Sequence, residues 1–468
     1  MLVESTSPQA AEQGSTPEAT GRGTLTQQVP GRARARTLVG PLTSPDEKRS
    51  TDGNRTLRKN PGFRFLLGST ITSALGGSIT GISLSWLIYH YTGSTLDLAY
   101  LGLTGVLPGI VLGLLAGVLA DRYDRRKLMV ASDVVRALAM AGLATALFLL
   151  GFSLLLVLAA MTLVYSFSAL FFPASQAILP RIVSKRELED ANGLLFASSQ
   201  IGFTLGAGAG GLAIAFVGAI AGLGLNAATF AVSGMLLLRI APEFGRVRDA
   251  TSASARSIRG ELVEGLAYMR SHLPILEVTL GFLPASMLFP LVTNFFVVYA
   301  ALVLGPSPAL FGYLVAAVTG GAATGSLSVG RLRARRQAGI TTALGVLVMG
   351  GAAALLVVAG SLVPALTGAA ILGFALGLIG TVYYSTMQAI VPNELLARVL
   401  SIDTVGSLVA VPAGLVLGGL LASHYGILFT YTVAMIGFFA NGALLLAIPG
   451  IRSFRYIEPP TVEAVVPT

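Results

Sequence analysis

Lysine and arginine fall into seven clusters along this chain, and neighbouring clusters are separated by two long apolar runs. The first cluster ends at Arg64. The next four span Arg122–Arg136, Arg181–Arg186, Arg239–Arg270 and Arg331–Arg336, and the last two are Arg398 alone and Arg452–Arg455. Together they hold all 31 Lys and Arg residues. A helix needs about 20 predominantly apolar residues to cross a bilayer core. Twelve such runs are present, numbered here α1–α12, with approximate limits 65–89, 97–120, 128–150, 153–178, 193–216, 219–240, 275–303, 310–330, 338–360, 362–390, 399–422 and 427–449. One run missed or added would put successive basic clusters on opposite sides of the membrane, so the charge pattern supports the count. Short basic loops stay cytoplasmic. Both termini and the loops after even-numbered helices are therefore expected in the cytoplasm, with the protein in the cell membrane.

Composition agrees. Only 11% of the 468 residues are charged and 54% are hydrophobic, whereas soluble domains carry about 25% charged residues. The absent water-facing surface must face lipid. The 56 glycines suit close packing of membrane helices. The expected fold is an all-α membrane protein of twelve transmembrane helices in two six-helix bundles. Residues 1–60, rich in Ser, Thr, Pro, Gly, Arg and Gln, read as a disordered cytoplasmic tail. Residues 61–240 form the first bundle, 241–274 a cytoplasmic linker, 275–450 the second bundle and 451–468 a second tail. There is no Cys, and the only His residues are His90, His272 and His424, each near the end of an apolar run. No disulfide, metal site, cofactor or catalytic constellation is expected. The net charge of +9 is topological and gives no reason to invoke nucleic acid.

Within the linker, Leu262, Val263, Leu266 and Met269 make an apolar stripe at helical spacing. This predicts a short amphipathic helix on the membrane surface or against the bundle ends. The halves repeat a signal. Gln176-Ala177-Ile178-Leu179-Pro180 closes α4 and Gln388-Ala389-Ile390-Val391-Pro392 closes α10, each after an aromatic pair, Phe171-Phe172 and Tyr383-Tyr384.

The loop after α2 reads Gly117-Val118-Leu119-Ala120-Asp121-Arg122-Tyr123-Asp124-Arg125-Arg126-Lys127. It resembles the loop 2–3 signature of the major facilitator superfamily, G-x-L-A-D-R-x-G-R-R, with Asp124 at the second Gly. In α5, Gly202, Gly206, Gly210 and Gly211 resemble the G-x-x-x-G-P-x-x-G-G antiporter signature of exporters in that superfamily, with Ala207 at the usual Pro. Small-residue packing alone would also account for this spacing. Over roughly 60–450 the chain resembles the macrolide- and siderophore-exporter branch. The resemblance implies a gate at the cytoplasmic ends. Gly113 and Gly117 would allow close packing, Asp121 would accept from the N-terminus of α11, and Arg122, Arg125 and Arg126 would pair with carboxylates. It also implies that the α5 glycines pack on α8, near Gly320, Gly321 and Gly325.

Charges inside apolar runs are costly and usually functional. Asp133 and Arg136 lie three apart in α3, Glu277 starts α7 and Asp403 starts α11. All four read as near the cytoplasmic ends, hence as gate residues. With Asp121, they are the candidates for coupling. Ser73, Ser78, Tyr165, Asn294, Tyr383, Tyr384 and Gln388 are the candidates for a cavity lining that suits bulky amphipathic or neutral molecules. No G-x-x-x-x-G-K-[ST] loop appears. The resulting expectation is a monomeric secondary transporter, exporting drug-like or siderophore-like molecules against protons. A metabolite importer on the same fold and a non-transporting sensor or scaffold are the alternatives.

Overall fold

The computed structural model describes residues 57, 59–184, 187–245, 258–330, 332 and 337–455. Most of the expected N-terminal tail, residues 246–257 of the linker, Arg331, Arg333, Arg335, Arg336 and residues 456–468 lie outside the described residues. The spanning helices are α1 Pro61–Thr92, α2 Thr95–Arg122, α3 Arg125–Leu150, α4 Leu154–Ile182, α5 Leu188–Val217, α6 Ala219–Leu238, α7 Leu273–Thr293, α8 Pro308–Ser328, α9 Ala338–Val358, α10 Leu362–Ile390, α11 Asn393–Tyr425 and α12 Ile427–Ala447. Among the described residues, twelve helical segments are long and apolar enough to cross a membrane.

The two ends of the molecule are built differently. At one end, chain reversal takes only a few residues. Gly93, Gly151, Gly218, Gly305 and Gly426 turn the chain there with positive φ, which Gly alone adopts freely. Ser94 and Ser153 then cap α2 and α4 by accepting from Asp97 N and Leu156 N. The opposite end carries the basic clusters. There Asn60 caps α1, and its amide also donates to Ile182 O at 2.7 Å, tying the start of α1 to the end of α4.

Within the first half, α1 packs on α5 and α6, α3 on α4 and α6, and α2 on α4. In the second, α8 packs on α10, α9 on α10 and α12, and α7 on α11 and α12. Two seams join the halves, α5 with α8 and α2 with α11. Both are closed away from the basic end. Thr95 Oγ1 donates to Gly419 O at 2.7 Å, Asn294 Nδ2 donates to Leu98 O at 3.2 Å, and Thr204 Oγ1 donates to Thr319 Oγ1 at 2.9 Å. Toward the basic end, a side-chain atom added at Gly109 or Gly113 of α2 would meet nothing within 4 Å.

α7 departs from the uniform span expected at 275–303. It stops at Thr293, resumes as Phe296–Tyr299 and ends in a π-helical turn, Ala300–Leu304. The break is filled by a side chain. Tyr431 Oη of α12 donates to Val292 O at 2.9 Å. Insertion of such a group into the backbone ladder is a recognised cause of helix breaks. Tyr299 stacks on Tyr431 with ring centroids 5.2 Å apart, and its own hydroxyl donates to Leu356 O at 2.9 Å.

The linker helix, Ile258–Ser271, packs on α11 through Gly265 and ion-pairs Glu264 with Arg398 at 2.6 Å. Met269 of the expected stripe is buried, but Val263 is 61% exposed. The helix rotates so that Gly265 lets it approach α11 closely. Burial pushes the Tyr268 phenol of this helix up from its ordinary range.

Candidate functional site

A cavity of about 620 Å³ opens into the first half. α1 and α5 form one wall, α4 forms the other, and α3 and α6 supply the floor through Arg136, Asn226 and Phe230. The cleft exists because α4 is held by α2 and α3 and touches α1 and α5 little. Its lining is aromatic and hydroxylic: Phe171, Phe172, Phe196 and Phe203, with Thr70, Ser73 and Ser168. The amides Gln176 and Asn192 lie nearer the basic end.

At the floor, Asp133 and Arg136 share one face of α3, as spacing of three in a helix requires. Arg136 Nη2 donates to Asp133 Oδ1, and Nη1 donates to Ser168 Oγ of α4 at 3.3 Å. The guanidinium lies between two rings, 4.5 Å from the Phe171 centroid and 4.6 Å from that of Phe230. The other Asp133 oxygen accepts from Ser233 Oγ of α6 at 2.6 Å. Ser233 Oγ lies 2.7 Å from Ser69 Oγ and accepts from Ser73 Oγ at 3.1 Å, both on α1. Asp133 is 0% exposed and Arg136 5%. A charge at such burial must be paired and hydrogen-bonded to persist, and this one is.

This corrects the placement of the pair as a gate element. At 1.5 Å per residue, Arg136 lies about 16 Å from the basic-end start of α3, near the middle of a core about 30 Å thick. The pair joins α1, α3, α4 and α6 beneath a cavity.

A second buried acid occupies the other half. Asp403 Oδ1 of α11 accepts from Tyr383 Oη of α10 at 2.7 Å, and Tyr383 Oη lies 2.8 Å from Thr279 Oγ1 of α7. Asp403 is 7% exposed and lies five residues into the span that starts at Arg398. Glu277 Oε2 is buried without a hydrogen-bond partner among the described residues and sits against Gly450.

Several loop 2–3 residues make contacts within their own half. Asp124 caps α3, accepting from Lys127 N at 3.0 Å. Arg125 Nη1 donates to Ala177 O at 3.0 Å, and Arg126 donates to Leu237 O at 3.1 Å and to Leu238 O. The last carbonyls of helices lack intrahelical partners and sit at the negative end of the dipole. Arg126 therefore binds the end of α6, and Arg125 reaches a carbonyl within α4, both in their own half. Arg122 is exposed. Gly113 faces open space. Gly117 and Asp121 lie in the last turns of α2, and the Asp121 side chain falls outside the described residues.

The α5 glycines also divide. A side-chain atom at Gly202, Gly206 or Gly210 would meet Ala74, Leu75 or Ile79 of α1, in the same half. Of these four only Gly211 turns to α8, with its Cα against Gly312, and of Gly320, Gly321 and Gly325 only Gly320 faces α5, through Thr204. Gly321 and Gly325 instead meet Ala370 and Phe374 of α10. Spacing of four selects one helix face, and that face points at α1.

Of the cavity candidates, Ser73 and Tyr165 line the cleft. Tyr384 and Gln388 are exposed on α10. Ser78, Asn294 and Tyr383 are committed to interhelical hydrogen bonds, with Phe203 O, Leu98 O and Asp403. The aromatic lining and Asn226 were not legible as a site. Phe171 and Phe172 stood out only as a repeat, because nothing in an apolar run tells a cleft-facing ring from a lipid-facing one.

Residues 56–456 match the transmembrane secretion effector family. The chain is similar to "Multidrug efflux pump Tap" of Mycolicibacterium fortuitum, 26% identical over 407 residues that cover 85% of this chain and 98% of that protein. It is also similar to "Macrolide efflux protein A" of Streptococcus pyogenes, 24% identical over 379 residues covering 78% and 90%. Among solved structures, the peptide transporter POT superposes with a TM-score of 0.67 at 14% identity, covering 84% of this chain and 95% of that one. That likeness is one of fold, with twelve membrane-crossing helices. The chain is thus a multi-pass membrane transporter, not an enzyme, and it belongs to the transmembrane secretion effector family of the major facilitator superfamily.

Proposed function

We propose that this protein is a proton-coupled exporter of drug-like small molecules, working as a monomer by alternating access in the cell membrane. Its basic end, with both termini, faces the cytoplasm, in line with the confinement of basic loops to that side. The observation that carries the reading is the cleft of about 620 Å³, largely aromatic and hydroxylic, with one buried ion pair at its floor. A cavity of this size and lining fits a drug-sized amphipathic molecule. A small anion or a sugar would need more fixed polar groups. The names of the relatives, multidrug and macrolide efflux proteins, support export, and siderophore-like molecules belong in the same test panel.

The hydrogen bonds that join the halves lie away from the basic end, and a state open at the basic end would let substrate enter from the cytoplasm. Rocking about the α5–α8 and α2–α11 seams would close the basic end and open the other. Asp133 and Asp403 are the buried carboxyls available to carry protons. Glu277, partly exposed beside Gly450, and Asp121 are the weaker candidates for coupling.

The test is proton movement in energised inverted vesicles carrying the protein, followed with a pH-sensitive dye while macrolides, lipophilic dyes and siderophores are added. Substrate-dependent proton release, absent from vesicles without the protein, is expected. Substrate accumulation that persists after the proton gradient is collapsed would overturn the coupling. Depletion of substrate from the vesicle lumen would overturn the direction.

A further inference from the structure

We propose that Tyr165 is the specificity-determining residue of the cleft. Its phenolic hydrogen is donated to one acceptor oxygen (carbonyl, ester or phosphoryl) on an uncharged, ring-bearing molecule. That such a molecule is cargo for export rests on the function proposed above. The binding preference does not.

The hydroxyls of the lining single this residue out. Thr70 donates to Leu66 O at 3.0 Å and Ser168 to Val164 O at 2.9 Å. Ser175 donates to Phe172 O and Ser199 to Phe196 O, both at 2.8 Å. Ser73 donates to Ser233 Oγ at 3.1 Å, and Thr80 Oγ1 accepts from Asn226 Nδ2 at 2.6 Å. Among the described residues that line the cleft, Tyr165 alone carries a hydroxyl with no hydrogen-bond partner in the protein. The reason is geometric. A short hydroxyl side chain reaches back to a carbonyl three or four residues earlier in its own helix. A phenol holds its hydroxyl beyond the ring, out of reach of that carbonyl.

The nitrogen donors of the lining are engaged by the protein, except at the mouth, where Gln176 is exposed. Asn226 donates to Thr80 and accepts from Thr229 at 2.9 Å, and Asn192 Nδ2 donates to Leu188 O at 2.9 Å. Arg136 is turned to Asp133, Ser168 and Ser132 O.

Tyr165 is also held in place. Its ring packs on Gly105 of α2, where an added side-chain atom would lie 3.5 Å from Tyr165 Cζ and 3.8 Å from Oη. At 1.5 Å per residue it lies about 17 Å from the start of α4, near the middle of a core about 30 Å thick. In apolar surroundings a hydrogen bond is stronger than in water. A site built to hydrogen-bond its ligand rejects an analogue that lacks the matching group, because the protein group is then left unpaired. Phenylalanine would fill the same space, so the hydroxyl adds nothing to packing. What it adds is a donor.

The test is equilibrium binding to the purified full-length protein in detergent. The probes are triphenylphosphine oxide and triphenylmethane, which share their phenyl rings and differ in the acceptor oxygen. Tyr165→Phe should weaken the oxide roughly three- to tenfold and leave triphenylmethane unchanged. Without probe, Tyr165→Phe should melt no lower than wild type, because it removes a hydroxyl that no protein group uses. The proposal fails if the variant holds the oxide as well as wild type does, or if wild type does not bind the oxide. It fails if both probes weaken by the same factor, which would mark a change of cleft shape. It also fails if the probe-free variant melts below wild type or does not fold, which would make the hydroxyl structural. Transport into the cytoplasm, or transport indifferent to protons, alongside an intact loss of oxide binding in Tyr165→Phe would overturn the export reading and leave this one standing.

Discussion

Replacing Gly206 with alanine puts one methyl group between α1 and α5, and its cost can be worked from the backbone. The added carbon would lie 2.6 Å from Leu75 O and 3.1 Å from Leu75 Cα. Carbon–oxygen contacts settle at about 3.3 Å or more, so the two helices must separate by about 0.7 Å. A gap of that size forfeits about a quarter to a half of each contact's attraction along the seam, and overpacking of this kind costs about 1–3 kcal/mol. Gly208→Ala is the control. The same methyl group there comes no closer than 3.7 Å, to Ala316 Cβ. Both variants gain the helix propensity of alanine, about 1 kcal/mol, so their difference isolates the clash. At about 2–4 °C per kcal/mol for a unit of 150–250 residues, Gly206→Ala should melt roughly 2–12 °C below Gly208→Ala. The assay is thermal unfolding in detergent, followed by helical circular dichroism. Equal melting points for the two variants would refute the argument that the α5 glycines exist to seat α1, and would reopen the cross-half reading of that motif.

Two further outcomes follow from the same geometry. Tyr431→Phe leaves Val292 O unpaired inside the break of α7, which should cost about 1–3 kcal/mol. A thermal melt reads the loss, and a melt matching wild type would mean that the α7 break does not depend on this hydroxyl. Asp124→Ala removes the N-cap of α3 and its bond to Lys127 N, for about 1 kcal/mol. Asp124→Asn, which can still accept there, should recover most of it.

By itself the sequence determined the class of fold, the number of spanning helices and which loops share a side. These follow from the bilayer as solvent: each crossing demands its own apolar stretch, and each Lys or Arg reports a side without reference to any other residue. The site was not determined in this way. Asp133 and Arg136 were visible as a pair, yet what surrounds them was not. A spacing of three says that two side chains share a helix face and nothing about what that face meets. Only packing set Ser233 against one carboxylate oxygen, with Ser69 and Ser73 behind it, and two phenylalanines around the guanidinium, the serines 60 to 100 positions from Asp133 along the chain. The α5 glycines show the same limit. Their spacing fixed a stripe, but which neighbour the stripe faced was decided by the rotation of α5 in the bundle. In a membrane nearly every face of a helix is apolar, so the hydrophobic pattern that orients a helix in a soluble protein is silent here, and small residues and buried hydrogen bonds set the orientation.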